Sequence, residues 1–145
     1  MTNFLYDIFP IATPTDYKLH FARHNGHEEP ADVLLESCDR LRPWGPQTRW
    51  HDWQRYWPGR NAFNRDYIFT LARYQRPDLW LFGGVFKVIK RQPSQDYEVE
   101  LTDEGADMIG CLTLLYTYPS RAARVNFEKH YRNLQVQEIL HNPNR

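Results

Sequence analysis

DYIFTLARYQRPDLWLFGGVFKVIKR, Asp66 to Arg91, is the stretch on which the fold turns. DYIFTLARY reads as a strand, because β-branched and aromatic residues dominate it and no helical stripe runs through it. QRPD, residues 75–78, reads as a turn. LWLFGGVFKVIKR then reads as a long second strand. Gly83 and Gly84 interrupt it, and such a pair allows a bend or a close approach by another group. Trp80 and Phe82 stand two apart and share one strand face.

Downstream the strand signal continues. QPSQ, residues 92–95, is a turn. YEVELTD alternates, which buries Tyr97, Val99 and Leu101 and exposes Glu98 and Glu100. IGCLTLLYTY is a nearly all-apolar strand. PSRAARVNFEKHYRN is a loop or short helix, and LQVQEIL is a last strand. Upstream, DYKLHFAR puts Tyr17, Leu19 and Phe21 on one side and Lys18 and His20 on the other, again a strand. HNGHEEP is a turn, and ADVLLESCDRL is a helix stopped by Pro43. RPWGPQT is a loop. RWHDWQRYW is a second helix, ended by Pro58-Gly59. Residues 1–15 are expected to be an arm packed on a single domain of residues 16–145. Six strands and two early helices define an α+β chain with a small, strongly curved sheet or barrel.

The 145 residues are the usual length of one domain, and 41% hydrophobic residues suffice for a core. No N-terminal signal segment stands out, and no apolar run reaches the ~18 residues that span a bilayer, so a cytoplasmic protein is expected. Cys38 and Cys111 are far apart and read as buried thiols rather than a bridge.

Formal net charge is zero, which argues against binding nucleic acid through bulk positive charge. The zero hides an asymmetry. Residues 40–65 hold six arginines (Arg40, Arg42, Arg49, Arg55, Arg60, Arg65) against one acid, Asp52, whereas residues 96–107 hold six acids and no base. The basic stretch is also ring-rich: Trp44, Trp50, Trp53, Tyr56, Trp57 and Phe63 fall inside it. Arginine contacts phosphate and flat rings stack on bases, so this is the pattern of a nucleic-acid surface. The plainer reading is that arginines solvate a buried tryptophan helix. Trp50, Trp53 and Trp57 stand at i, i+3 and i+7, so they share one side of that helix. They are either all core, or at least one lines a pocket. Trp44, on a Pro-Gly loop, suits recognition better than core. Asn61 and Asn64 could read a base edge or cap the turn. Arg60 and Arg65 could hold phosphate or bond to carboxylates such as Asp66, and Arg121 and Arg124 could approach phosphates or be solvated.

Catalytic signatures are missing. The sequence has no CxxC, HExxH, GxSxG or P-loop. His24, His27 and Glu28 lack a second ligand pair, and Glu98 and Glu100 read as solvated strand carboxylates rather than metal ligands. A binding module without cofactor or metal is therefore expected, rather than an enzyme.

WPGRNAFNRDYIFTLARY, LWLFGGVFKVIKR, YEVELT and YTYPSRAARVNFE together resemble the N-terminal region of bacterial GIY-YIG nuclease-family proteins, over residues 16–140. The GIY and YIG tripeptides of the nuclease domain are absent. The resemblance implies an N-terminal domain, or a stand-alone relative, acting with a GIY-YIG nuclease domain in cis or in trans. Trp57, Gly59, Arg60 and Asn61 are similar, but not identical, to the W-x-G-x-R-N motif of the EVE branch of the PUA-like superfamily: Pro58 fills the intervening position, and Phe63 stands where the family has an aromatic. That superfamily includes the SRA and YTH readers. It implies a small curved barrel of about six strands that flips a modified base into an aromatic pocket. The pocket residues would be Trp44, Trp53, Tyr56, Trp57, Asn61, Phe63, Asn64, Trp80 and Phe82, the last strand pair forming a stacking wall. Arg49, Arg55, Arg60, Arg65, Arg121 and Arg124 would hold phosphate. The expected function is the specificity domain of a modification-dependent restriction nuclease, reading C5-modified cytosine in duplex DNA. A modified-RNA reader, a docking or dimerisation domain and a small-nucleotide pocket are the rivals, with a homodimer left open.

Overall fold

The computed structural model describes residues 4–13, 16–22, 29–40, 48–55, 66–91, 97–115 and 127–139, and the Asp66–Arg91 stretch forms its spine. β2 runs Tyr67–Tyr74 and β3 runs Arg76–Arg91. The turn between them is tighter than the four residues expected: Gln75, at φ 62, reverses the chain and Tyr74 pairs with Arg76. The other elements are α1 (Leu5–Ile8), β1 (Tyr17–Ala22), α2 (Pro30–Arg40), α3 (Arg49–Arg55), β4 (Tyr97–Leu101), β5 (Cys111–Leu114), α4 (Phe127–Arg132) and β6 (Gln135–Ile139). All six expected strands are present, and so are both early helices.

The strands make one sheet in the order β1-β2-β3-β5-β6, with β4 paired to β3 off that path. β1 and β2 are parallel, and every other ladder is antiparallel. The expected closed barrel is not formed. Among the described residues no ladder joins β6 to β1, so the sheet is open. The length of β3 explains this. β5 pairs with its first half, at Leu79–Leu81, and β4 with its second half, at Phe86–Arg91. Strands are thus added along β3 rather than around an axis.

Gly83-Gly84 is where β3 bends. Phe69 pairs with Val85 and Leu71 with Phe82, so two glycines on β3 oppose Thr70 alone on β2. This is a β-bulge, and Gly84 carries its left-handed conformation at φ +101. A bulge strands backbone carbonyls, and here four consecutive ones find donors on four different segments. Gly110 N–H donates to Phe82 O (2.8 Å), Trp50 Nε1–H to Gly83 O (3.0 Å), Thr70 Oγ1–H to Gly84 O (2.8 Å), and Thr102 N–H to Val85 O (2.8 Å). Gly83 has a second requirement. A Cβ there would lie 2.5 Å from Trp50 Cζ2 and 2.7 Å from Thr70 Oγ1. The pair therefore serves both expected ends, a bend and a close approach.

Both faces of the sheet are covered, which is why β2 is buried from Ile68 to Ala72 without alternation. A parallel β1–β2 pair needs a crossover, and α2 and α3 supply it over one face. Pro30 suits the first turn of α2, where its missing N–H costs nothing, and Ala31, Leu34 and Cys38 give that helix its buried stripe. On the other face Tyr131 of α4 meets Phe69 edge-on at 5.6 Å. Residues near the N-terminus cross the same face. Leu5 N–H donates to Leu134 O (2.9 Å), Phe4 bridges to Gln135, and the Phe9 ring lies 6.0 Å from Phe69 and 5.3 Å from Phe82. Tyr131 donates its hydroxyl to Phe9 O.

Cys38 and Cys111 are buried thiols with no disulfide between them, as expected. Ile89, 47% exposed, is the extra residue of a second bulge, between the Val88–Val99 and Lys90–Glu98 pairs. No helix among the described residues is long and apolar enough to cross a membrane.

Candidate nucleic-acid interface

α3 is the described part of the arginine- and ring-rich stretch, and its sequence explains how it is held. Thr48 precedes it, and its Oγ1 accepts the His51 N–H at 3.1 Å, an N-cap bond to the third helical residue. Ser37 of α2 accepts the Trp50 N–H at 3.2 Å and donates to Val33 O at 2.9 Å. Two of the helix's orphan donors are thereby satisfied by side chains. Trp50 is fully buried against the glycine bulge. His51 is buried beside it. Its Nε2–H donates to Val99 O (3.1 Å), its ring meets Phe86 edge-on at 5.7 Å, and its Nδ1 lacks a hydrogen-bond partner among the described residues. A carbonyl can only accept, so the Val99 contact sets this tautomer. Gln54, also fully buried, donates from Nε2 to Trp50 O (3.0 Å) and accepts from His20 Nδ1 of β1 (2.6 Å).

The helix faces solvent with Arg49 and Asp52, and Trp53 is half-buried between the two sides. The Trp53 ring leans on Trp50, 6.1 Å between centroids at 42°. Arg49 Nη1 lies 3.3 Å from Glu36 Oε2, both side chains being more than a third exposed. Such an exposed pair is weak and can yield to a phosphate. Arg55 is the last residue of α3, and β2 begins at Tyr67. The intervening residues carry Tyr56, Trp57, Arg60, Phe63 and Arg65.

The site residues expected from sequence divide three ways. Trp53, Arg49 and Arg55 all belong to α3. Trp80 and Phe82 do share a face of β3, but both are fully buried and neither presents a free face as a stacking wall. The physical reason is the arm and α4, which cover that side of the sheet; Phe82 packs 4.9 Å from Phe69 and 5.3 Å from Phe9. Trp44, Tyr56, Trp57, Arg60, Asn61, Phe63, Asn64, Arg65, Arg121 and Arg124 lie outside the described residues, as do His24, His27 and Glu28 and the rest of residues 41–47 and 92–96.

Sequence reading passed over His20, His51 and Gln54, the polar residues that lock α3 in place. One signal was available. Gln54 follows Trp50 by four, so it shares the buried side of the helix, where an amide must find partners.

Glu98 and Glu100 are exposed, and their ladder partners across β3 are Lys90 and Lys87. Among the described residues no group of three or more His, Cys, Asp or Glu is arranged to hold a metal. Burial pushes the Cys111 thiol up to about 12, which keeps it protonated and poorly nucleophilic. Burial, with the Glu104 carboxylate, also raises the phenols of Tyr17 and Tyr131. No protein-family model matches this chain, and neither a curated protein nor a solved structure does.

Proposed function

We propose that this chain is a nucleic-acid-binding module whose contact surface is α3 and the residues 56–65 that follow it, and that its ligand is duplex DNA carrying a C5-modified cytosine. One observation carries the reading. α3 is bonded into the bulge of the sheet on its buried side, and at the margin of that side it holds a partly exposed ring, Trp53, on the helix that also bears Arg49 and Arg55. A ring already fixed in place loses little entropy when a base stacks on it. Stacking contributes roughly 1–3 kcal/mol per base, enough to offset much of the few kcal/mol needed to unstack and flip one. The reading puts the base pocket on the α3 side of the molecule, with Trp53, Tyr56 and Trp57 as rings and Asn61 and Asn64 as edge readers. Trp80 and Phe82 support it from the core instead of lining it. Cleavage belongs to a nuclease domain outside these residues, in keeping with the sequence resemblance.

The test is a binding assay on four otherwise identical duplexes bearing cytosine, methylcytosine, hydroxymethylcytosine or glucosylated hydroxymethylcytosine, with a matched RNA probe. Two salt concentrations and the Trp53→Ala variant complete it. The expected result is preference for one modified duplex, weakened by about tenfold or more in Trp53→Ala and weakened in both proteins as salt rises. Equal binding to all four duplexes would reduce the module to a nonspecific one. Preference for the RNA would make it an RNA reader, and absence of binding to every probe would sink the proposal.

A further inference from the structure

The first turn of α3 is tied down several times over, by Thr48, by Ser37 and by Trp50 in the glycine bulge. Its last turn, which carries Trp53 and leads into residues 56–65, is tied to the sheet by a different route. His20 of β1 donates from Nδ1 to Gln54 Oε1 at 2.6 Å, and Gln54 passes the tie to Trp50 O at 3.0 Å. Gln54 is fully buried while His20 is half-exposed, so the relay runs from the surface of an edge strand into the root of the helix. A buried amide holds its orientation only while both its ends are matched. Without the His20 donor, Gln54 Oε1 loses its bond to β1, and with it goes a tie between the last turn of α3 and the sheet.

We infer that His20 is a positioning residue. Through Gln54 it fixes the last turn of α3 and hence the attitude of the Trp53 ring. The role rests on the nucleic-acid reading above only in its consequence for binding; the mechanical link stands on the hydrogen bonds themselves. Asparagine can test it cleanly, because its Nδ2–H occupies nearly the position of an imidazole Nδ1–H, whereas alanine offers no donor.

The experiment compares wild type, His20→Asn and His20→Ala in the full chain by residue-resolved amide hydrogen exchange without ligand, and by affinity for the preferred duplex. In His20→Ala the amides of Trp53, Gln54 and Arg55 are expected to exchange about fivefold faster, the scale of one lost hydrogen bond, with Trp50 and His51 unchanged. Affinity is expected to drop by a similar factor. His20→Asn is expected to restore both. Unchanged exchange in His20→Ala, equal loss in both variants, or faster exchange with undiminished affinity would each overturn the assignment. A wild-type chain that binds no probe would remove the proposed function, while the exchange data would still decide whether His20 steers α3.

Discussion

Gly83 is the residue on which most of the interior depends. Its missing side chain makes room for the Trp50 ring, and its carbonyl takes the Trp50 indole N–H. Both neighbours are themselves buried and bonded, so neither can retreat. Gly83→Ala is therefore expected to destabilise the chain by about 1–3 kcal/mol, the usual cost of overpacking a filled core. Urea unfolding followed by tryptophan fluorescence measures it, and a midpoint equal to wild type would mean that Trp50 can swing clear. The glycine pair was legible in sequence as a place of bending or close approach. Its partner was not, because Trp50 lies 33 residues away and nothing local links the two. The same limit explains Trp80 and Phe82. Their shared face was readable from a period of two, but what covers that face is set by Phe9 and Tyr131, at opposite ends of the chain.

At the scale of elements, α3 is a helix of only seven residues, too short to be stable by itself. It persists because its ends are bonded to other parts of the fold. Thr48→Ala removes the N-cap acceptor for His51 N–H and is expected to cost about 1 kcal/mol. The loss should appear as a lower urea midpoint with an unchanged slope, and Thr48→Ser should recover most of it. If Thr48→Ala matched wild type, Ser37 alone would suffice to hold the first turn. The helix itself was legible from the tryptophan spacing. Its capping and its tilt were not, because Ser37, Val99 and His20 belong to three other elements. Trp50 and Trp53 separate for the same reason. Both lie on the side that the spacing marks as apolar, yet one is fully buried and the other stays partly open for contact.

Across the whole molecule, three weak acids are held in their protonated forms by burial: Cys111 in β5, Tyr17 in β1 and Tyr131 in α4. The sign of the effect follows from linkage. In the unfolded chain the thiol ionises near 9 and the phenols near 10, whereas the folded chain keeps these protons to higher pH. Their contribution is complete below pH 9 and is lost as pH rises, for Cys111 between 9.0 and about 12. Stability is thus expected to be insensitive to these groups at pH 7–8 and to fall above pH ~9. Urea midpoints at pH 7, 9 and 10.5 test this, with Tyr17→Phe flattening the upper part of the curve. Midpoints that stay level to pH 10.5 would refute it.

From the sequence alone came the α+β class, the six strands, the two early helices, the buried thiols and the division into basic and acidic stretches. Each of these follows from periodicity, turn residues or composition, which are properties of neighbours in the chain. Tertiary structure alone decided that the sheet stays open, that β1 pairs parallel to β2, that the Trp80–Phe82 face is core and that Trp53 rather than Trp50 is partly exposed. These depend on which distant segments cover which surface. β3 is long enough to carry β5 and β4 end to end, and once the arm and α4 occupy one face and α2 and α3 the other, no strand needs to close the ring.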